Sequence, residues 1–268
     1  MGLFDLFRKK EGSEKSIAHA KNENPIILAM VMYNQGDAYS HDRLIKELEG
    51  NWKLRVKDSN SENNTAVFKI NDESIVIMTV DLPIPWTEIE ETGKYAYNWE
   101  DWRNDLQNHK SHLIISLFPS SRSIMDRNLL FTKFLAAILN TTEALGVYDG
   151  TRSLLLPKQL YLNSAHDIKN KSLPYELWVY VGFRESEKGN GIYTYGLKTF
   201  GKKEMEISGS DKPLEELYRL MHGLVFFIIS RDVTFGDGHT FNLPNGSKAN
   251  IVESDGKYID ERVLRLVV

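Results

Sequence analysis

The chain has 268 residues, a formal net charge of −4 and no cysteine. Without cysteine there is no disulfide, thiolate zinc site, Fe–S cluster or cysteine nucleophile. The mildly acidic balance argues against nucleic-acid binding, and no apolar run has the length of about 18–20 residues that a membrane span needs. The N-terminus also lacks the apolar core of a secretory signal peptide, so we expect a cytoplasmic protein.

Residues 1–24 are predicted to be an amphipathic segment followed by a polar linker. On a helix, Leu3, Leu6 and Phe7 would lie together, with basic residues at the end. This pattern indicates docking to a partner or weak contact with a membrane surface, through Leu3, Phe4 and Phe7. The alternative is a terminal turn that packs on the domain.

Strand and helix patterns alternate with hairpins from residue 25 to about residue 160. Residues 26–33 form a continuous apolar run, which is typical of a strand buried on both faces. The other elements predicted here are a helix at 41–48, a strand at 52–56, a turn at 58–64, a hairpin at 66–80, a helix at 88–109 that Gly93 interrupts, a strand at 110–118, a helix at 125–145 and a strand at 146–148.

The second half begins with a mixed connection, residues 151–172. Strands are predicted at 177–183, 192–197 and 204–207, and Asp211 and Pro213 begin a helix with one apolar stripe. Three more strands follow, at 233–242, 249–253 and 263–267. We therefore predict an α+β (or α/β) fold with helices on a mixed sheet, residues 25–268 forming one domain, with two ferredoxin-like halves, 25–160 and 161–268, as an alternative.

Glu204 and Glu206 are spaced to share one strand face. Two carboxylates so placed suit a general base or oxygen ligands for a divalent metal. The other interpretation, which we favour, is a solvent-facing strand edge whose charges discourage aggregation.

The loop Gly236-Asp237-Gly238-His239-Thr240 is the second candidate site. Asp237 and His239 could join Glu204, Glu206 or His222 and bind Mg²⁺ or Mn²⁺. A tight turn that needs glycine and an Asp cap is the commoner explanation.

The spacing of His109 and His112 fits structural histidines better than metal ligands. The chain has no Walker, dinucleotide-binding, G-x-S-x-G or H-E-x-x-H motif.

Several segments together resemble a bacterial family, domain of unknown function 4261. They are IVIMTVDLPIP at 75–85, HKSHLIISL at 109–117, LGVY at 145–148, PYELWV at 174–179, YGLKTFGKKEME at 195–206 and GDGHT at 236–240. Their order, more than any single motif, carries a resemblance that extends from about residue 26 to 242. The resemblance implies a bacterial intracellular protein, and it assigns no catalytic residues to this chain.

The functional hypothesis that follows is a non-enzymatic protein-interaction module, immunity- or adaptor-like, with no cofactor. It depends on the missing catalytic motifs and on an aromatic-rich segment with Trp86, Tyr95, Tyr97, Trp99 and Trp102, since aromatic residues are enriched at binding surfaces. Packing in the core is the competing explanation for each of them. The alternative function is a hydrolase or metal-assisted enzyme that uses the acidic and histidine residues.

Overall fold

The computed structural model describes residues 24–268 except 35–38, 153, 244–245 and 247. The segment predicted to contact membranes through Leu3, Phe4 and Phe7 lies outside the described residues. The described chain contains helices and strands in comparable amounts around two sheets, which confirms the α+β class.

Thirteen strands make up the two sheets in the described part of the chain. They are β1 (Ile27–Tyr33), β2 (Val56–Glu62), β3 (Thr65–Ile70), β4 (Glu73–Val80), β5 (Ser111–Leu117), β6 (Gly146–Asp149), β7 (Leu154–Pro157), β8 (Tyr180–Arg184), β9 (Asn190–Tyr195), β10 (Met205–Ser210), β11 (Thr240–Asn242), β12 (Lys248–Asp255) and β13 (Arg262–Val267).

Six helices of α type pack on these sheets within the same residues. They are α1 (His41–Gly50), α2 (Trp86–Gly93), α3 (Trp102–Leu106), α4 (Ile124–Thr141), α5 (Lys158–His166) and α6 (Leu214–Arg231). None of them is long and apolar enough to cross a bilayer.

The first sheet has the strand order β2-β3-β4-β5-β1-β6-β7, and every neighbouring pair is antiparallel. β1 is central, as its apolar run predicts, and it is buried on both faces. Val31 and Tyr33 face one hydrophobic cluster, whereas Met30 and Met32 face a second cluster beneath α2 and α3. This alternation is the period of two that a strand imposes.

The second sheet has the order β11-β12-β13-β10-β9-β8 and is mixed, because β10 and β13 run parallel. The apolar stripe of α6 packs on β9 and β8 as predicted, with Leu217, Leu224 and Val225 fully buried. Each sheet has more strands than the four of a single β-α-β-β-α-β unit.

Helix α4 is buried on nearly all sides, and its buried residues include the polar Arg127, Asn128 and Thr132 as well as its apolar residues. Its residues share one continuous cluster with both sheets. Trp178, from the second half of the chain, donates its indole N–H to the hydroxyl of Thr132 on α4 at 2.9 Å. Helix α4 therefore joins the two halves through a common core.

Four predicted elements differ from the structure in extent or type. Residues 58–62, predicted to be a turn, form most of β2, an edge strand of mainly exposed polar residues. The strand predicted at 52–56 therefore lies later in the chain than expected. The helix predicted at 88–109 is interrupted at Gly93 as predicted, but only Trp102–Leu106 is helical after it. The connection predicted at 151–172 contains β7 and α5.

Candidate functional site: an aromatic groove

The five aromatic residues that the sequence singled out lie partly in the core and partly at the surface. Trp99 and Trp102 are buried in the cluster beneath the first sheet. Tyr95 is half-buried, whereas Trp86 and Tyr97 keep 36% and 38% of their surface exposed. The core explanation therefore holds for the two inner tryptophans, and the binding-surface explanation stays open for Trp86 and Tyr97.

Gly93 lets the chain turn at the end of α2. A Cβ at this position would lie 2.5 Å from Cζ2 of the Trp102 indole, a separation that real side chains do not tolerate. The indole therefore packs directly on the backbone, and α2 ends where residue 93 meets it. The following turn carries Tyr95 and Tyr97 to strand β8 of the second sheet.

Ring contacts connect this turn to β8. Tyr97 lies 5.3 Å from Phe183 and 6.0 Å from Tyr180 between ring centroids, and Tyr95 lies 6.0 Å from Tyr180. The Tyr97 hydroxyl donates to the carbonyl of Val181 at 3.1 Å. Phe183 remains 37% exposed, so the contacts leave one aromatic face open to solvent.

We call the concave surface between these elements the aromatic groove. It has a volume of about 380 Å³ and is lined by Gly93, Lys94, Tyr95, Ala96, Tyr97, Trp99, Glu100, Trp102, Tyr180, Phe183 and Arg184. Strand β8 is the last strand of its sheet. The aromatic groove thus lies beside a sheet edge and contains apolar rings with charged groups among them.

Arg184 lies at the end of β8 among tyrosines. Its guanidinium donates to the carbonyl of Phe183 at 3.0 Å and to the hydroxyl of Tyr193 at 3.4 Å. It also lies over the rings of Tyr95 and Tyr193, 5.7 and 5.6 Å from their centroids. These contacts hold a charged group in one orientation next to the apolar rings.

A smaller polar cluster adjoins the aromatic groove on α6. The ring of His222 lies 4.0 Å from that of Tyr218, and its Nδ1 lies 3.3 Å from the Tyr175 hydroxyl. Burial lowers the pKa of His222 to about 4 and raises that of Tyr175 to about 12. Both side chains are therefore neutral at pH 7.

A larger cavity of about 940 Å³ lies on the first half of the chain, between α1, the β2–β3 turn and the end of α4. Its lining is mostly polar and includes Asn34 and Tyr39, which flank residues 35–38. The aromatic groove contains most of the aromatic segment that the sequence singled out.

Glu204 is buried, and the solvent-facing strand edge that we favoured for it is wrong. Its carboxylate accepts hydrogen bonds from the N–H groups of Gly196 at 2.8 Å and Lys198 at 3.0 Å, and from the Thr194 hydroxyl at 2.7 Å. Gly196 adopts φ +125°, a conformation that favours glycine. Burial nevertheless raises the pKa of Glu204 above its usual value.

Glu206 is fully buried as well, and β10 is an inner strand of its sheet. Arg265 donates to Oε1 of Glu206 from Nε at 3.0 Å and from Nη2 at 2.8 Å, and the Lys257 N–H donates to Oε2 at 2.9 Å. The two glutamates thus anchor different loops. Their oxygens already accept protein donors, which is the pattern expected of structural carboxylates.

Asp237 and His239 lie in an exposed turn with other partners. Asp237 accepts from the Glu253 N–H at 2.8 Å, and Nδ1 of His239 accepts from the Gly236 N–H at 3.3 Å. Neither forms a hydrogen bond or ion pair with Glu204, Glu206 or His222. Across the described ranges, no group of three or more His, Asp or Glu side chains is arranged to hold a metal ion.

His109 and His112 have structural partners. His109 accepts from the Ile84 N–H at 2.8 Å and donates to the Leu106 carbonyl at 2.7 Å, and Nδ1 of His112 lies 2.8 Å from the Leu82 carbonyl. Together they hold the segment between β4 and α2, whose prolines cannot form regular ladder bonds.

The part of the chain that matches a known protein family lies in the second sheet. Residues 193–267 match the family described as Domain of unknown function (DUF4261). The resemblance to DUF4261 is confirmed for this segment. No curated protein and no solved structure shows a significant match.

The DUF4261 match covers β9 to β13 and α6, including both buried glutamates and the turn with Asp237 and His239. It begins at Tyr193, so most of the aromatic groove precedes it. The earlier motifs that carried the resemblance, from residue 75 to 179, also lie outside the matched range, whereas residues 243–267 fall inside it.

Sequence reasoning overlooked Phe183, Arg184, Tyr175 and Tyr218. Phe183 and Arg184 end the apolar and aromatic run WVYVGFR at 178–184, which favours a strand but does not indicate which element its last side chains meet. The groove depends on side chains from distant parts of the chain.

Proposed function

We propose that this protein is a non-enzymatic interaction module of the bacterial cytoplasm, immunity- or adaptor-like, and that it binds a segment of a partner protein in the aromatic groove. The observation that carries this proposal is the placement of partly exposed aromatic rings. Tyr97 and Phe183 touch each other across the groove and stay more than one-third exposed, although Trp99 and Trp102 beside them are buried.

Solvent exposure of several large rings on one concave surface is typical of a binding site, because burying them against a partner is strongly favourable. Tyr and Trp are also enriched where partners meet. The open groove runs beside the last strand of the sheet, and such an edge is where extended segments of partner proteins commonly bind. A partner segment in extended conformation therefore fits this surface.

The proposal is tested by site-specific photo-crosslinking in the native host. A photoreactive residue at position 183 should capture one defined partner. The same residue at position 78, an exposed site on β4 of the first sheet, is the matched control and should not capture it.

Two alanine variants complete this experiment. Tyr97→Ala should abolish crosslinking at position 183, and Met78→Ala should leave it intact. Equal capture from positions 78 and 183 would overturn the proposal, and so would turnover of a small molecule by the purified protein without any partner.

A further inference from the structure

We propose that Arg184 makes the aromatic groove selective for a carboxylate, so that the bound partner segment carries an Asp or Glu side chain next to an apolar one. This inference rests on the proposed function and names the chemistry of the ligand.

Arg184 is oriented before any ligand arrives. Its contacts with the Phe183 carbonyl and the Tyr193 hydroxyl use two of the five N–H donors of a guanidinium. The rings of Tyr95 and Tyr193 confine it from the side. Because the long side chain is already held, less conformational entropy is lost when its remaining donors bind a ligand.

The charge of Arg184 is not balanced by an acidic neighbour. Among the described residues it forms no ion pair, whereas Arg103, Arg262 and Arg265 each pair with a carboxylate. The charged residues that line the aromatic groove are Lys94, Glu100 and Arg184, which leaves one net positive charge. A single carboxylate complements that charge.

A carboxylate fits this site better than a phosphate. A guanidinium binds a planar carboxylate through two parallel hydrogen bonds. A phosphate carries close to two negative charges at neutral pH, and Glu100 on the same surface would oppose the second charge. Phe183 and Tyr97 line the same groove as the arginine and contact each other, so the neighbouring side chain of the ligand is expected to be apolar.

The test uses three capped tripeptides as probes in NMR titrations of the full chain, with the sequences Phe-Glu-Phe, Phe-Gln-Phe and Phe-phosphoserine-Phe. We expect the Glu peptide to bind with about tenfold higher affinity than the Gln peptide, the size expected for a charge-assisted pair. Arg184→Gln should remove this preference, and Arg184→Lys should restore it only in part. Arg55→Gln, at an exposed arginine in the first half of the chain, should change nothing.

The outcomes separate this inference from the proposed function. If Phe183→Ala weakens the Glu and Gln peptides equally and wild type does not distinguish them, the groove binds peptides but carboxylate selectivity is refuted. Tighter binding of the phosphoserine peptide than of the Glu peptide would refute the carboxylate assignment in favour of phosphate. If no peptide shifts the groove resonances at millimolar concentration, the inference fails, and the crosslinking experiment decides the proposed function independently.

Discussion

The hydroxyl of Tyr97 donates a hydrogen bond to the main-chain carbonyl of Val181, which lies 84 positions later in the chain, at 3.1 Å. This contact ties the turn between the two short helices of the first half to an outer strand of the second sheet. The hydrogen bond holds the Tyr97 ring at the surface, where the proposed function requires it. Loss of this bond should therefore disorder the groove locally and lower the stability of the protein.

Tyr97→Phe keeps the ring and removes only the hydroxyl. We expect a loss of about 1 kcal/mol in the free energy of unfolding, the usual net value of one hydrogen bond, measured by urea denaturation. Hydrogen exchange should accelerate selectively in residues 94–101. Uniform acceleration over the whole chain would contradict a local role for the contact.

Glu204 can be tested with two matched variants. Glu204→Ala removes the acceptor for two main-chain N–H groups and should destabilise the protein by about 3 kcal/mol, because buried donors lose their partners. Glu204→Gln keeps one acceptor oxygen, and its amide can donate to Thr194, so we expect a much smaller loss. Equal losses in the two variants would argue against this hydrogen-bonding role.

The raised pKa of Glu204 also predicts a pH dependence. A carboxyl whose folded pKa is raised favours the folded state below its unfolded pKa, near 4.5, and this contribution is lost as the pH rises through the folded value. The stability of wild type relative to Glu204→Gln should therefore fall as the pH rises above about 4.5. Parallel stability curves for the two proteins would show that Glu204 does not titrate as proposed.

The lowered pKa of His222 predicts that stability falls in acid, the opposite direction to the effect of Glu204. Its pKa falls from 6.5 to about 4 on folding, so its contribution is present above pH 6.5 and is lost as the pH falls toward 4. The full effect corresponds to about 3 kcal/mol. His222→Gln should flatten the stability curve over this range.

Glu176 is the control for the His222 experiment, because its carboxylate lies 4.0 Å from Nδ1 of His222 and burial raises its own pKa. The measurement should therefore be repeated with Glu176→Gln in both backgrounds. A raised pKa of Glu176 gives the opposite slope, so Glu176→Gln should not reduce the loss toward pH 4. Disappearance of that loss in Glu176→Gln alone would contradict the assignment to His222.

Divalent metals provide a direct test of the metal-assisted alternative. The carboxylates of Glu204 and Glu206 already accept internal donors, so millimolar Mg²⁺ or Mn²⁺ should leave the melting temperature unchanged within error. Tight binding to the folded state would instead raise it by mass action. A rise that Glu204→Gln and Asp237→Asn abolish would revive the alternative.

Deletion of residues 1–23 tests the predicted membrane contact through Leu3, Phe4 and Phe7. The deletion stops before Asn24, whose amide donates to the carbonyl of Arg122 at 2.6 Å, so the circular dichroism spectrum should not change. Association with anionic vesicles should be lost, because one apolar segment with basic residues binds such surfaces weakly and electrostatically. Unchanged vesicle binding would assign the contact to another part of the chain.

Local periodicity predicted those parts of the fold whose side chains follow a single pattern. The buried run of β1, the β3–β4 hairpin and the stripe of α6 are examples, since each pattern reflects one packing surface. The strand β2 was missed because its residues are polar and exposed at a sheet edge, so that its order depends on pairing with β3.

The candidate site was less accessible to prediction, because it depends on contacts between distant residues. Burial of Glu206 requires Arg265, 59 positions away, and alternation along β10 does not reveal that partner. Likewise, the turn at Tyr97 meets Phe183 and Arg184 only through the tertiary fold. The aromatic segment itself was recognised from composition, but the strand that completes the groove was not.

The burial of α4 on nearly all sides has a consequence for the smallest unit that can fold cooperatively. The DUF4261 segment begins at residue 193, inside β9, so it contains neither α4 nor β8. Expressed alone, residues 193–267 would lack the partner strand of β9 and the helix α4 that packs on residues 197–200. We expect that fragment to aggregate, and a chain cut near residue 160 to regain its structure only when both pieces are refolded together.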